Sequence, residues 1–409
     1  MLLKSAASGC FSARIRHFSS PACQASVYIS QSHNPYINLA FEDWVYSNLD
    51  LTKRRLLFLW RNEPVVVIGR HQNPWLECDI KRLSEKGVKL ARRKSGGGAV
   101  YHDLGNLNAT FFTHRSAYNR HENLALIVKT LRDRWKLDVK HSSRDEIVLN
   151  NQFKISGTSS KLGRLTAYHH CTLLLKVDLH TLGDILNPTY TGIRSNATAS
   201  VRAKVKNLCC IEPTLGFERV SLAIGEQYLA NYGDKSISSE AEFINPESES
   251  HYPGITAMAE EINCWPWTYG KTPKFQVPFF TTLSCGHVTL DFFSYHGVIT
   301  QVKVSLNGEQ MPPSSLLGRL ALHLQGTTIA EANRGISFCS TVAMPFYYPF
   351  PLNWTRFCNE KGTSSVISKH EEHKKTSPLR AVDTVRTHLH SRSDHCFLHV
   401  LVNSTRECN

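Results

Sequence analysis

Three consecutive glycines, Gly96–Gly98, place the strongest constraint on the fold of this chain, because a basic segment precedes them and an apolar one follows. Glycine has no Cβ atom, so a run of three lets backbone N–H groups turn inward and surround an anion. Residues 92–94, Arg-Arg-Lys, supply positive charge beside the run, and the polar cluster Tyr101–Asp103 follows it. The spacing is neither that of a Walker A loop nor that of the dinucleotide-binding fingerprint. A flexible linker is the common alternative, but the adjoining strand and polar cluster favour a phosphate-binding loop.

A second constraint comes from a lysine inside a predicted strand pair. The segment 145–157 indicates two short strands around Asn150–Asn151, since asparagine tolerates the left-handed backbone of a tight turn. Lys154 lies in the second strand between Phe153 and Ile155. An edge-strand lysine directed at water is the ordinary alternative. An inward lysine would need an anionic partner, such as a phosphate held by the glycine loop, because an unpaired buried ammonium is costly.

Length and charge limit the class of protein. The 409 residues are enough for two domains with a sizeable core. Lys and Arg number 47 against 34 acidic residues, a formal charge of +13, which favours an acidic partner, a nucleic acid or a basic targeting segment. We expect no membrane span, because no run approaches the roughly 18 apolar residues that one needs. The 12 cysteines include no Cys-x-x-Cys pair, so we expect reduced thiols in an intracellular compartment.

The N-terminal segment has the composition of a targeting sequence. The first acidic residue is Glu42, and Lys4, Arg14 and Arg16 lie among serines and small apolar residues. A basic, acid-free start without a continuous apolar centre is typical of a mitochondrial transit peptide, which we assign to residues 1–30. A disordered basic N-terminus is the alternative.

The apolar periodicity alternates between helix and strand, which predicts a mixed α/β (α+β) fold. We place a main domain at 31–240, a Ser-, Glu-, Pro- and Gly-rich linker at 241–275 and a small α+β domain at 276–335, and we leave the tail 336–409 unassigned. The predicted helices lie within 37–49, 122–135, 219–233 and 314–326, and the predicted strands lie within 54–75, 145–157, 167–179 and 287–308.

Several ordered motifs carry a resemblance to a known family: VVIGRHQNPWLEC (66–78), RRKSGGGAVYHDLGNLN (92–108), KISGTSSKLGR (154–164) with AYHHCTLLL (167–175), GIRSNATASVRAKVKNL (192–208) and YGKTPKF (269–275). Over residues 33–280 the chain resembles the lipoate–protein ligase and lipoyltransferase family, and its animal mitochondrial members most of all. The resemblance implies a large biotinyl/lipoyl-ligase-like catalytic domain with mixed sheets and a small C-terminal α+β domain.

The same resemblance implies an acyltransferase located in the mitochondrial matrix. Its members bind lipoyl-AMP as substrate and pass the lipoyl group to a lysine of the lipoyl domains of 2-oxoacid dehydrogenase E2 subunits. The glycine-cleavage H protein is an expected alternative donor, no cofactor is expected to be tightly bound, and a monomer is expected. An ATP- and Mg-dependent ligase that also makes lipoyl-AMP is the alternative.

Residue by residue, the resemblance implies a catalytic role for Lys154 and supporting or binding roles for the residues around the glycine loop. We expect loop support from Arg70, His102 and Asp103, and we assign no general base and no metal ligand. The expected lipoyl-AMP contacts are Arg93, Gly96, Gly97, Gly98, Ala99, Val100, Tyr101, Arg144, Lys154, Thr172, Thr198 and Ala199. Val67 and Leu173–Leu175 are candidates for the walls of an apolar lipoyl slot.

Other interpretations remain open at this point. The fold could bind a nucleotide without catalysis, or Cys171 could serve as the nucleophile that related octanoyltransferases use. A biotin ligase would show Gly-Arg-Gly-Arg-x-Gly-Arg in the loop, which this chain lacks. A nucleic-acid module would interleave basic and aromatic residues, and no such run is present. The tail groups His388, His390, His395, Cys396 and His399, a weak zinc pattern because no Cys-x-x-Cys anchors it.

The N-terminal composition makes a direct prediction. Residues 1–40 fused to a fluorescent reporter should carry it into mitochondria, because the segment pairs basic residues with small apolar ones and has no acid. The measurement is colocalisation of the reporter in animal cells, and a cytosolic reporter would contradict the assignment.

Overall fold

The computed structural model describes residues 24–188, 192–234, 240–283 and 286–328, which form a mixed α/β fold. The helices are α1 (Pro35–Asn48), α2 (Pro74–Glu77), α3 (Ile80–Glu85), α4 (Arg120–Trp135), α5 (Leu179–Ile185), α6 (Phe217–Tyr232), α7 (Ile255–Asn263), α8 (Trp265–Thr268) and α9 (Leu316–His323). The strands are β1 (Gln24–Ser30), β2 (Arg54–Trp60), β3 (Val65–Ile68), β4 (Lys89–Arg92), β5 (Val100–His102), β6 (Asn106–His114), β7 (Val139–His141), β8 (Ile147–Leu149), β9 (Phe153–Lys154), β10 (Thr158–Leu162), β11 (Thr166–Leu174), β12 (Arg194–Ser195), β13 (Glu242–Ile244), β14 (Phe275–Leu283), β15 (Gly286–Tyr295), β16 (Val298–Leu306) and β17 (Glu309–Gln310).

The strands are arranged in four sheets among the described residues. The largest has the order β10-β11-β6-β2-β1-β13, in which β1 is parallel to β2 and β13 and the other pairs are antiparallel. Two three-stranded sheets have the orders β4-β3-β5 and β7-β8-β9, and a five-stranded antiparallel sheet has the order β12-β14-β15-β16-β17. The predicted fold class is confirmed.

The large sheet is covered on both faces, which explains the continuous apolar run of β2. Leu57 and Leu59 belong to the core formed with α4 and α6, whereas Phe58 and Trp60 belong to the core formed with α1 and α7. Because successive strand residues point to opposite faces, a strand buried on both sides needs apolar residues at every position.

Local sequence signals position the elements that carry the site. Asn119 caps α4 by accepting from the backbone N–H of His121, as expected for asparagine at a helix start. Asn150 and Asn151 have φ of 51° and 59° and join β8 to β9, so the predicted hairpin is confirmed. Among the described helices, none combines the length and apolar character needed to cross a membrane.

The predicted linker at 241–275 is wrong. This segment contains β13, which pairs with β1, and helices α7 and α8. Ile255, Ile262 and Trp267 are buried in the same core as α1. The composition suggested a linker because polar turns between short elements lower the apolar fraction of the whole segment, although each element buries apolar residues. The other predicted boundaries remain predictions, and the tail 336–409 lies outside the described residues.

The transit-peptide boundary at residue 30 also requires correction. Residues 1–23 lie outside the described residues, but Gln24–Ser30 form β1, an interior strand of the large sheet. Val27 and Ile29 are each 1% exposed, so this strand is part of the folded core.

The position of β1 predicts the effect of truncation. A chain that begins at Gln24 should unfold cooperatively, whereas a chain that begins at Gln31 should lose that transition or most of its stability. The shorter chain loses two strand pairings and three buried apolar side chains, Ala25, Val27 and Ile29, and burial of each large one contributes about 1.5–3 kcal/mol. Urea unfolding followed by circular dichroism is the measurement, and equal midpoints for the two chains would contradict it.

Candidate active site

Lys154 lies in β9, the second strand of the β8–β9 hairpin. Its backbone N–H donates to the Lys204 carbonyl at 2.8 Å, so the segment after β12 covers this strand. The Lys154 ammonium lies 2.7 Å from Glu146 Oε1, and the two side chains are 23% and 21% exposed. This ion pair offsets part of the cost of withdrawing the ammonium from water. Lys154 thus lies on an edge strand, as the ordinary alternative expected, but its ammonium has an anionic partner within the protein, the Glu146 carboxylate.

Two cavities meet at Lys154. A larger cavity of about 410 Å³ and a smaller cavity of about 280 Å³ share this lysine as a lining residue. The other shared residues come from the end of the glycine loop and the start of β5, the position before β10, β11 and the segment after β12: Ala99, Val100, Gly157, Thr172, Ala199, Ser200 and Val201. The two cavities therefore adjoin along a common wall that includes Lys154, and together they are called the cleft below.

The two cavities differ in their walls. The larger cavity has aliphatic walls that include Leu174, Leu182 and Leu186. The smaller cavity has apolar walls that include Trp60 and Val67, together with polar groups and the glycine loop. The proposed wall residues Val67 and Leu174 therefore line different cavities.

Glycine is required at two positions around the loop. Gly97 has φ of +81°, and a Cβ atom there would lie 3.1 Å from Arg93 Nη2 and 3.2 Å from Ser159 Oγ. Gly69, in the loop after β3, packs so closely that a Cβ atom would lie 2.1 Å from the Gly97 carbonyl oxygen. The glycines of two separate motifs thus allow two backbone segments to touch.

The Arg93 guanidinium holds the loop from behind. It is 4% exposed and donates to the Val67 carbonyl at 3.0 Å, the Gly98 carbonyl at 2.7 Å and the Gly96 carbonyl. A further bond joins it to Ser95 Oγ at 3.0 Å. Burial lowers the pKa of Arg93 to about 10, so the group remains cationic at neutral pH. Arg93 borders the smaller cavity, but its hydrogen bonds shape the loop.

The other two cations of the basic segment also support structure. Arg92 is fully buried and donates to backbone carbonyls that include those of Gln72 at 2.7 Å and Thr268 at 2.9 Å. Lys94 pairs with Glu261 at 2.7 Å, and its ammonium lies 3.7 Å from the centroid of the Trp267 ring. Arg92 and Lys94, which were expected to supply positive charge beside the glycine run, thus line neither cavity.

A buried polar chain lies behind the loop. Ser95 Oγ lies 2.9 Å from His170 Nε2, and His170 Nδ1 lies 2.9 Å from Glu42 Oε1. This order of groups resembles that of a nucleophilic triad. Ser95 is 1% exposed and lines neither cavity, so the chain braces the loop and cannot present a nucleophile to the cleft.

Two further buried groups are electrically neutral at physiological pH. Burial raises the pKa of the Cys171 thiol to about 12, so Cys171 lacks the thiolate that a nucleophilic cysteine needs, although it borders the smaller cavity. Burial, with the nearby Arg93, lowers the pKa of His102 to about 3. The neutral His102 ring lies 3.1 Å from Asn62 Nδ2. A supporting role for His102 agrees with this environment.

Most of the residues expected at the site line the cleft. Four of them do not. The Gly96 carbonyl accepts hydrogen bonds from Arg93 and Ser159, and Asp103 accepts from two backbone N–H groups. Arg70 and Arg144 are exposed. Those that line at least one cavity are Arg93, Gly97, Gly98, Ala99, Val100, Tyr101, His102, Lys154, Thr172, Thr198 and Ala199. Their roles in binding remain predictions.

Sequence reasoning missed the residues that close the cleft. Gln72 receives a bond from the Gly69 N–H at 2.8 Å and donates to Ser200 Oγ at 3.1 Å. Glu77 accepts from the Ser200 N–H at 3.2 Å, and burial raises the pKa of its carboxyl. These bonds fasten the segment after β12 over the loop. Gln72 and Glu77 both lie in the motif 66–78, but only their short distances to Ser200 in the folded chain show this role.

Comparison with known proteins agrees with this geometry. Residues 34–228 match the model of the lipoyl protein ligase A/B catalytic domain. Human mitochondrial lipoyl amidotransferase LIPT1 is 51% identical over 249 residues, covering 61% of this chain and 66% of the relative. The mouse protein of the same name is 46% identical over 284 residues, covering 68% of this chain and 75% of the relative.

This chain belongs to the lipoyl protein ligase A/B family. Its fold is similar to that of P. falciparum LipL1, solved in complex with lipoate, with a TM-score of 0.54 and 26% identity. That similarity covers 82% of this chain and 97% of the other. The resemblance that the motifs indicated is thereby confirmed. The chain spans about two thirds of the human relative's length and three quarters of the mouse relative's.

The loop geometry of this family member predicts the effect of one added methyl group. Gly97→Ala should weaken binding of lipoyl-AMP, the ligand that the family resemblance implies, roughly 5- to 150-fold, because a left-handed backbone costs a non-glycine residue about 1–3 kcal/mol. Gly96→Ala is the matched control: its φ is not in the left-handed range and no heavy atom lies within 4 Å of the added Cβ. Calorimetric titration is the measurement, and equal affinities in the two variants would contradict the prediction.

Proposed function

We propose that this protein transfers a lipoyl group from lipoyl-AMP to the ε-amine of a lysine on an acceptor lipoyl domain. The observation that carries the proposal is the position of Lys154 where two cavities of unequal size meet beside a glycine loop. The substrate also has two parts of unequal size, joined by an acyl–phosphate anhydride. The larger cavity suits the nucleotide and the smaller one suits the acyl chain.

Burial of the acyl chain would supply much of the binding free energy. Four methylenes at about 0.8 kcal/mol each contribute roughly 3 kcal/mol before the dithiolane ring is counted. Leu39, Trp60 and Val67 offer apolar walls in the smaller cavity. The glycine loop borders the same cavity, so the anhydride would lie between the loop and Lys154.

The chemistry follows from the charge that develops at the anhydride. The acceptor amine attacks the acyl carbon, the bond from that carbon to the phosphate oxygen breaks, and AMP leaves as the amide forms and the amine loses a proton. The Lys154 ammonium would stabilise the negative charge that grows on the carbonyl and phosphate oxygens. No general base is assigned to the proton.

The family supports a proposal about partners and location. The human and mouse relatives are named mitochondrial lipoyl amidotransferases, which supports a mitochondrial location and lipoyl-accepting protein partners. We propose the matrix, E2 subunits of 2-oxoacid dehydrogenases as acceptors, the glycine-cleavage H protein as an alternative donor, and a monomeric enzyme without a tightly bound cofactor. The positive charge of +13 would favour docking of an acidic lipoyl domain.

The proposal predicts a specific loss in one variant. Lys154→Ala should lower the rate of single-turnover transfer from lipoyl-AMP by about 100- to 1000-fold, and lipoyl-AMP binding by much less, because the ammonium acts mainly on transition-state charge. Lys154→Arg should not restore the rate, since a planar guanidinium cannot replace a compact ammonium.

Lys161→Ala is the matched control for that experiment. Lys161 lies in β10, is paired with Asp43 and has a side chain 21% exposed, close to the 23% of Lys154, but it lines neither cavity. Its transfer rate should stay near that of the wild type. A Lys154→Ala variant that transfers at the wild-type rate would remove Lys154 from the mechanism, and absence of transfer by the wild-type protein would favour a binding module. Transfer from lipoate that requires ATP and Mg²⁺ would favour the ligase alternative.

A further inference from the structure

Three potential metal ligands converge beside the β8–β9 hairpin, outside both cavities. His121 lies in the first turn of α4, His141 ends β7, and Asp145 lies in the loop that precedes β8. His121 Nδ1 lies 3.3 Å and His141 Nε2 lies 3.4 Å from the same oxygen, Asp145 Oδ1. One ligand atom from each of the three residues lies within 4.8 Å of the others.

These separations match a small coordination sphere. Two ligand atoms that each lie about 2.0–2.1 Å from a tetrahedral zinc ion are separated by roughly 3.3–3.4 Å. Both nitrogen–oxygen distances in the cluster, 3.3 Å and 3.4 Å, agree with that value. The histidines come from different secondary-structure elements and meet with ring centroids 5.0 Å apart, so no local helical spacing produces the arrangement.

The hydrogen bonding of the cluster also indicates a cation. Asp145 Oδ1 and His141 Nε2 are buried atoms without a hydrogen-bond partner, although they lie close to each other. The second oxygen, Asp145 Oδ2, is occupied by Arg120 Nε at 3.0 Å. That arrangement is the one expected of a carboxylate ligand, which an outer group orients through one oxygen while the other faces the ion.

The backbone of Asp145 is held in an uncommon conformation. Its φ is +59°, a value that non-glycine residues seldom adopt. The loop is fixed by Ser142, whose carbonyl accepts from the Asp145 N–H at 3.2 Å and whose hydroxyl accepts from the Glu146 N–H at 3.3 Å. The conformation thus directs the carboxylate toward the two histidines.

We propose that His121, His141 and Asp145 bind one divalent transition-metal ion, of which Zn²⁺ fits best. Two imidazoles and one carboxylate suit Zn²⁺ and its neighbours, whereas Mg²⁺ and Ca²⁺ prefer all-oxygen ligands. Three protein ligands leave the fourth position to water. The ion would tie α4 to the loop that carries Glu146, the partner of Lys154. The proposal does not depend on the proposed transfer activity.

Titration of the metal-stripped full-length protein with Co²⁺ tests the site, with visible absorption as the readout and Zn²⁺ as the competitor. The expected result is one equivalent of Co²⁺ with tetrahedral d–d bands and no thiolate charge-transfer band, displaced by Zn²⁺. His141→Ala and Asp145→Asn should abolish the bands. Arg120→Gln should weaken Co²⁺ binding about 10- to 100-fold through the loss of an outer-sphere partner.

His180→Ala is the matched control, because His180 Nδ1 lies 3.4 Å from Asp184 Oδ2, a similar histidine–carboxylate pair. This variant should bind Co²⁺ as the wild type does. If His141→Ala does not fold, His121→Ala serves in its place, because the His121 side chain is 64% exposed. Absence of the bands in the wild type, their survival in a folded His121→Ala or His141→Ala variant, or their equal loss in His180→Ala would overturn the proposal.

Discussion

The cleft of this protein depends on a buried guanidinium. Arg93 draws the carbonyls of Gly96 and Gly98 toward itself from behind the loop and bonds at the same time to the Val67 carbonyl of β3. A buried cation needs several acceptors at fixed positions, and backbone carbonyls supply them. Carbonyl oxygens that point at an arginine do not repel an anion in the cleft. Hydrogen bonds from one side chain therefore hold the conformation of the glycine run.

The support extends well beyond the loop. Arg92 bonds to the Thr268 carbonyl of α8, and the Trp267 indole donates to the Arg92 carbonyl at 2.7 Å. Helix α7 packs in the same core as α1. The segment that composition indicates to be a linker is thus a structural part of the site. The composition of a polar, proline-rich segment does not reveal such a role, because each of its short elements buries only a few apolar residues.

Other parts of the fold and site follow directly from the sequence. The Asn150–Asn151 turn, the doubly buried β2 and the left-handed backbone at Gly97 depend on local rules of conformation and periodicity. The same rules located Lys154 within a strand. They could not supply its partner, because Glu146 reaches it across a hairpin whose side-chain directions depend on register.

The sequence by itself determined several of the helices and strands, the family of the chain and the position of Lys154 within a strand, because each depends on residues close together in the chain. Tertiary structure decided that Arg93 braces the loop, that Gln72 and Ser200 close the cleft, and that His121, His141 and Asp145 meet. The physical reason is that a hydrogen bond or a coordination sphere constrains positions in space. Residues that form one can be separated by any length of chain, such as the 176 positions between Arg92 and Thr268, and leave no periodic pattern.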